Sequence, residues 1–242
     1  MSREADTGRV TYDRFVEFER LVNGYPSVGR RINPKPIGYA AFALTLFVYS
    51  MNMCGATVPL LTSPALAMGL ALFYGGLIQL IAGVYELRSG NNFHALVFCS
   101  YAGFWFGLGS LYVQGSFAFS GQVADPTVNN YSFGIFFLGW TIFTLAVLIA
   151  SIRTNISAIL FFFFLLLTYI LFTAHYYLNI HNDLRRAAGA FGIVTAVIGW
   201  YKAFAHLLVK GENAYFNLPL IDISRRRGDA AGPNAVETRV AK

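Results

Sequence analysis

Charge is what this sequence has least of. Asp, Glu, Lys and Arg make up 12% of its 242 residues, where a soluble domain carries about 25%, so an ordinary soluble globular protein is excluded. Cysteine is scarce as well. Cys54 and Cys99 both fall within apolar runs, and no disulfide framework is implied. His94, His175, His181 and His206 stand at no metal-ligand spacing, with or without the cysteines, so neither a metal nor another cofactor is expected. No acidic residue lies deep in any apolar run, which weighs against a cation channel or a carboxylate proton relay. No nucleophile–base pair is visible, so an enzyme is not expected.

What is present is apolar and aromatic: 56% hydrophobic residues, 23 Phe, 14 Tyr and 3 Trp, and a mean hydropathy of +0.52. That richness in rings excludes disorder for the body of the chain. Six segments read as membrane spans: Ile37–Ala56, Pro64–Tyr85, Phe93–Val113, Tyr131–Ile152, Ile156–Tyr177 and Ala187–Val209. At 1.5 Å per residue each reaches roughly 30 Å, enough for a bilayer core. They are apolar on all faces, whereas barrel strands would alternate, so the expected fold is all-α and polytopic. The expected organisation is a tail over 1–36, a six-helix transmembrane domain over 37–209 and a second tail over 210–242. The longest loop, 114–130, leaves no room for a catalytic domain outside the membrane.

Lys and Arg set the orientation. Seven stand in the N-terminal tail and six in the C-terminal tail, with Arg88 and Arg153 in loops on the same side. The opposite loops hold only Arg185 and Arg186, and Lys202 lies inside the sixth span. Both termini are therefore expected to be cytoplasmic, in a multi-pass protein of the cell membrane. The net charge of +6 is this topological signal, and it gives no support for a nucleic-acid partner. Phe15, Phe18 and Val22 recur at helical spacing among Asp13, Arg14, Glu17 and Arg20, the pattern of an interfacial helix or of a solvated tail. Arg225-Arg226-Arg227 reads as a positive-inside anchor or an anionic-lipid contact.

Within the spans, polar residues are few enough to inspect singly. Ala67, Ala71, Gly75, Gln79 and Gly83 recur every four residues, making one face of span 2 small and polar; Gln79 and Glu86 are either ties between helices or, for Gln79, a lining of a path. Gly103 and Gly107 in span 3, and Ala188, Gly192 and Ala196 in span 6, form small-residue stripes that argue for a tight bundle. Thr45, Ser50 and Asn52 are the polar residues of span 1 able to face a water-filled path. Lys202 either snorkels to the surface or attracts anions in an inner vestibule.

Several motifs carry a resemblance. They are Asn33-Pro34-x-Pro36-x-Gly38, then Phe73-Tyr74-Gly75-Gly76-x-x-Gln79-x-x-Ala82-Gly83-x-x-Glu86, Gly90-Asn91-x-Phe93 and Ser100-Tyr101-x-x-Phe104-Trp105. Weaker agreement runs through Trp140, Phe143-Thr144-Leu145, Ala188-Gly189, Gly192 and Trp200-Tyr201. On these residues the chain resembles the acetate uptake transporter family, which includes bacterial succinate–acetate permease and fungal acetate transporters. The resemblance covers about Asn33 to Pro219. It implies a homohexamer of six-helix protomers, each with an hourglass-shaped path, narrowest at a Phe, a Tyr and a Leu. Counting from the motifs places these at Phe42, Tyr101 and Leu165, with Asn52, Gln79, Ser100 and Thr45 as pore-lining or substrate-binding residues nearby. Ala102 stands where many members have Gly, Asn92 replaces a frequent Thr, and Arg185, Arg186 and Lys202 are unusual around span 6.

The expectation is thus a membrane transporter or channel for acetate and related short monocarboxylates, with succinate a further substrate. Two alternatives stay open: a pore for a small neutral solute such as ammonia, and a non-transporting membrane sensor.

Overall fold

A computed structural model describes residues 32–60, 63–112, 126–221 and 223, together with Arg14 and Glu17. The expected interfacial helix around Phe15, Phe18 and Val22, with its neighbours Asp13 and Arg20, lies outside the described residues, as does Arg225-Arg226-Arg227. The chain divides into Met1–Asn33 and Pro34–Lys242. Among its described residues the second unit is helical throughout its long elements, and an isolated bridge joins Lys210 and Ala214.

Among the described residues six long helices follow in order: α1 (Lys35–Cys54), α2 (Ala65–Arg88), α3 (Asn92–Ser110), α4 (Pro126–Ser151), α5 (Ile156–Tyr177) and α6 (Asn182–Leu207). All except α3 are long and apolar enough to cross a membrane by length and composition. The 19-residue α3 is diluted by His94, Ser100, three glycines and its Asn start, and it spends its apolar residues inward on the bundle rather than outward.

Local chemistry sets the ends. Pro34 precedes α1 and Pro36 sits in its first turn, where no backbone donor is lost; the Pro34 carbonyl accepts from the Gly38 amide at 3.0 Å. Gly90, at φ +74°, ends the turn after α2, and Asn91 caps α3 by accepting from the His94 amide. The motif Gly90-Asn91 is thereby a stop and a start. Asn155 caps α5 in the same way, accepting from the Ala158 amide at 2.8 Å.

Several boundaries differ from the sequence reading, most of all two helix starts. Helix α4 begins at Pro126 and α6 at Asn182, each five residues before the apolar run that marked it. Polar first turns account for both. Pro126 fits a helix start, and Asp183 favours the N-terminal end of the α6 dipole. Arg185 and Arg186 are consequently helical rather than loop residues, with Arg186 paired to Asp183 at 3.8 Å. Helix α2 also runs on to Arg88, and its middle, Ala71–Ile78, is a π-helix. Gly75 and Gly76 permit that widened turn: a Cβ on Gly76 would lie 2.7 Å from the Ala71 carbonyl oxygen.

Side-chain pairings show α1 antiparallel to α6 and α3 antiparallel to α4, while α1 runs parallel to α3 and α5. Along α1 and α6, Tyr39 meets His206, Ala43 meets Gly199, Ser50 meets Gly192 and Cys54 meets Gly189. Along α3 and α4, Tyr101 meets Thr144 and Phe104 meets Phe137. Helix α1 lies inside, packed against α2, α3 and α6 and meeting α5 through the ring pairs Phe42–Phe161 and Tyr49–Phe172. Outward faces stay apolar: α4 exposes Val128, Tyr131, Ile135, Leu138, Ile142 and Leu145 at alternating spacings of three and four. The C-terminal strand of chain after α6 folds back, with the Ile223 amide donating to the Thr154 carbonyl and the Ile156 amide to that of Ile221.

Contact at Gly189 is backbone against backbone: a Cβ there would lie 2.6 Å from the Cys54 nitrogen and 2.8 Å from the Ser50 carbonyl oxygen. Gly189→Ala is expected to cost about 1–3 kcal/mol by overpacking. Gly139→Ala, on an open helix face with nothing within 4 Å, should be neutral or gain up to about 1 kcal/mol. Thermal unfolding of the detergent-solubilised protein checks the pair; equal midpoints would contradict the close α1–α6 contact.

Candidate functional site

Residues of α1 spaced by three and four put Tyr39, Phe42, Thr45 and Tyr49 on one inward face. Phe42 meets Tyr101 of α3 edge to face, with ring centroids 5.4 Å apart, and Phe161 of α5 at the same distance. Leu165 follows one turn beyond Phe161 and Phe162 on α5. Phe42, Tyr101 and Leu165 are 2%, 0% and 0% exposed, so each of the three side chains is shut off from solvent. The Tyr101 hydroxyl shares a hydrogen bond of 2.9 Å with the Thr144 hydroxyl of α4. Two motifs far apart in the chain, Ser100-Tyr101 and Phe143-Thr144, are thus tied together.

Glycine makes room for the next layer. A Cβ on Gly75 would lie 2.7 Å from the Trp105 ring and 2.8 Å from the Thr45 hydroxyl oxygen, so α2 approaches α1 and α3 at backbone distance here. Gln79 is one turn along α2 from Gly75, and Gly83, one turn further, abuts Cys99. That register sets the buried Gln79 near the level of Tyr101. Thr45 donates its hydroxyl to the Ala41 carbonyl at 2.8 Å, leaving the oxygen's lone pairs to face Gly75.

Asn52 and Ser100 are not gathered into this layer. Asn52 is ten residues, about 15 Å, along α1 from Phe42, and its amide donates to the Ser63 carbonyl at 3.5 Å. Ser100 is half-buried beside Tyr101 on α3 and so turns away from it by one residue's rotation. Among the motif residues, Asn33 is exposed ahead of α1, Gly38 lets the Phe98 ring lie against the α1 backbone, and Glu86 is buried at the end of α2.

Buried polar atoms flank the closed level on both sides. Trp105 Nε1 and the hydroxyls of Tyr49, Ser50 and Tyr169 have no hydrogen-bond partner within the described protein, and neither do the Tyr39 hydroxyl on the other side and Gln79 Oε1 near the level itself. Such atoms are costly away from water unless something meets them. At the end where α1 finishes, Arg185 is buried within electrostatic reach of Tyr49, Tyr112 and Tyr176. At the end where α1 begins, Lys202 does not snorkel. It is 1% exposed, and its Nζ sits 4.6 Å from the centre of the Tyr39 ring.

Trp105, Thr144, Phe161 and Phe162 were not singled out by sequence reasoning as members of this layer. A signal for one of them existed: Phe98, Tyr101, Trp105 and Leu108 repeat at spacings of three and four along α3, and all four are buried. Thr144 has no periodic signal, since one Thr in an apolar span is ordinary; its place in the motif Phe143-Thr144-Leu145 is what marks it.

The Tyr101–Thr144 bond is buried on both sides, so removing one partner should cost more than removing both. Tyr101→Phe and Thr144→Val are each expected to destabilise by about 1–3 kcal/mol, with the double variant recovering part of the sum. A double-mutant cycle on unfolding midpoints measures the coupling; strict additivity would contradict it.

Comparison with known proteins gives the context. A profile described as the GPR1/FUN34/yaaH family matches residues 21–225. Accumulation of dyads protein 2 of Saccharomyces cerevisiae is 37% identical over 183 residues, covering 76% of this chain and 63% of that protein. Acetate permease A of Emericella nidulans is 36% identical over 210 residues, covering 81% and 68%. Ammonia transport outward protein 2 of Saccharomyces cerevisiae is 33% identical, covering 76% and 64%. This chain therefore spans about two thirds of the length of these relatives. The fold is that of the bacterial acetate channel SatP, with a TM-score of 0.66 at 22% identity, over 78% of this chain and 99% of the channel. With a family match over most of its length and relatives above 30% identity, this integral membrane protein belongs to the GPR1/FUN34/yaaH family.

Proposed function

We propose that this chain conducts acetate and related short monocarboxylates, with succinate a further substrate, across the cell membrane, through a path whose narrowest level is Phe42, Tyr101 and Leu165. One observation carries the reading: the closed ring contact of Phe42 with Tyr101 is flanked on both sides by buried polar atoms that lack protein partners. Acetate has a carboxyl group whose pKa is close to those of Asp and Glu, so the anion dominates at neutral pH. Its methyl group needs apolar walls and its oxygens need donors. Aromatic edges carry partial positive charge and tolerate an anion passing between them. When Thr144 donates to Tyr101, the phenol proton is left to point into the path; Trp105 Nε1 is a further donor and Gln79 supplies an amide at the same height.

Buried Arg185 and Lys202 at the two ends would raise the local anion concentration. With no carboxylate deep in a span, a coupled proton would cross on the substrate itself. Both termini are cytoplasmic in this reading, which follows the Lys and Arg distribution. The protomer assembles as a homohexamer, with neighbouring copies and lipid covering the apolar faces of α2 and α4. A path for a neutral solute is the competing reading, favoured by the relative named Ammonia transport outward protein 2.

Uptake of labelled acetate into liposomes containing the purified protein separates the two. Acetate influx that propionate inhibits is expected for the wild type, and Tyr101→Ala and Leu165→Ala should each change its rate or the acetate-to-propionate preference by several-fold. If neither variant alters either quantity, the assigned constriction is wrong; if wild type moves no carboxylate, the neutral-solute reading takes its place. An imposed pH gradient distinguishes coupled uptake from passive permeation.

A further inference from the structure

Lys202 stands in the most unusual electrostatic setting of the described residues. It lies within α6, is 1% exposed, and rests its ammonium on the face of Tyr39. The Tyr39 ring is a hub. It stacks on His206 at 6.0 Å and 9°, and meets His94, Phe98 and Phe161 edge-on at 6.0, 5.0 and 6.0 Å. His94 and His206 are 6.5 Å apart, and Lys35 is within electrostatic reach of both and of Lys202. Four basic groups from α1, α3 and α6 thus converge.

One acid faces them. Glu86 of α2 interacts with Lys35 and hydrogen-bonds to Asn91, and its charge reaches Tyr39. Among the described residues Lys202 forms no ion pair; the pair Arg186–Asp183 lies at the opposite end of α6. A buried ammonium with only a ring face for company is costly, and an anion is the partner that relieves it.

We propose that Lys202, His94 and His206, around the face of Tyr39, form a binding site for a monocarboxylate anion, one helical turn from Phe42 along α1. Lys202 supplies the charge and the hydrogen-bond donor, while His94, whose Nδ1–H is given to Asn91 Oδ1 at 3.2 Å, and His206 wall the site with their rings. The rings of Tyr39, Phe98 and Phe161 give the methyl group an apolar wall. The choice of ligand rests on the transport reading above, and the site would load anion on one side of the closed level. Tyr39 and Phe42, one turn apart on the same face of α1, make the loading site and the constriction neighbours.

The test is binding in detergent, which needs no transport. The unfolding midpoint of the full-length protein is followed against sodium acetate at constant ionic strength, with sodium chloride as the comparison. A saturable rise with acetate is expected for the wild type, retained in Lys202→Arg and moved to at least tenfold higher concentration in Lys202→Met and Lys202→Gln. Using two neutral replacements keeps a poorly folding variant from deciding the result. No acetate response in the wild type, an unchanged half-saturation in either neutral variant, or a chloride response equal to that of acetate would each overturn the proposal. Wild type that binds acetate through Lys202 yet moves none into liposomes would keep the site and sink the transport reading; the reverse pattern would do the opposite.

Discussion

Everything in this bundle depends on how closely other helices approach α1. Gly189, Gly192 and Gly199 bring α6 against its backbone, Gly75 admits α2 at Thr45, and Gly38 accepts the Phe98 ring of α3. In lipid there is no hydrophobic gain from pairing two apolar helices, so close packing between small residues does that work instead. The consequence is positional. Because α6 runs antiparallel to α1 at backbone distance, Lys202 and His206 arrive at Tyr39; because α3 and α5 close on the other side, Tyr101 and Phe161 arrive at Phe42.

A chemical gradient along one helix face results. From one end to the other, α1 presents Tyr39 under a basic cluster, Phe42 in an apolar ring layer, then Thr45 and Tyr49 with hydroxyls toward the opposite end. Basic groups lie toward each end, and an apolar layer of rings lies between them. Low dielectric strengthens every polar contact within the bundle, which is why a leftover polar atom is costly. The Tyr101–Thr144 bond fixes the phenol so that its remaining hydrogen-bonding capacity has a defined direction.

Much of this was legible in the sequence, for reasons particular residues make plain. The spans could be read because a run such as Ile156–Tyr177 has no other stable use in water, and its boundaries agree with the helix observed. The α4 and α6 starts could not, because Pro126-Thr127 and Asn182-Asp183 are polar turns that hydropathy alone excludes from a span. The π-helical stretch at Gly75-Gly76 was invisible too, since helical spacing looks alike until one residue is added to a turn. Phe42 and Tyr101 came from motif position, and the structure brings them into ring contact. Trp105 shares the buried stripe of α3, whereas the Tyr101–Thr144 bond and the His94–His206 pairing depend on which helices become neighbours, and no local pattern in one span encodes that.

The central claim is that the ring layer around Phe42 limits what passes by size. The most direct measurement is the ratio of acetate to butyrate influx in liposomes, compared between wild type and Phe42→Ala. Opening the layer should lower that ratio by several-fold while a folded, monodisperse protein is retained. An unchanged ratio in the folded variant would contradict the account, and the layer would then be packing alone.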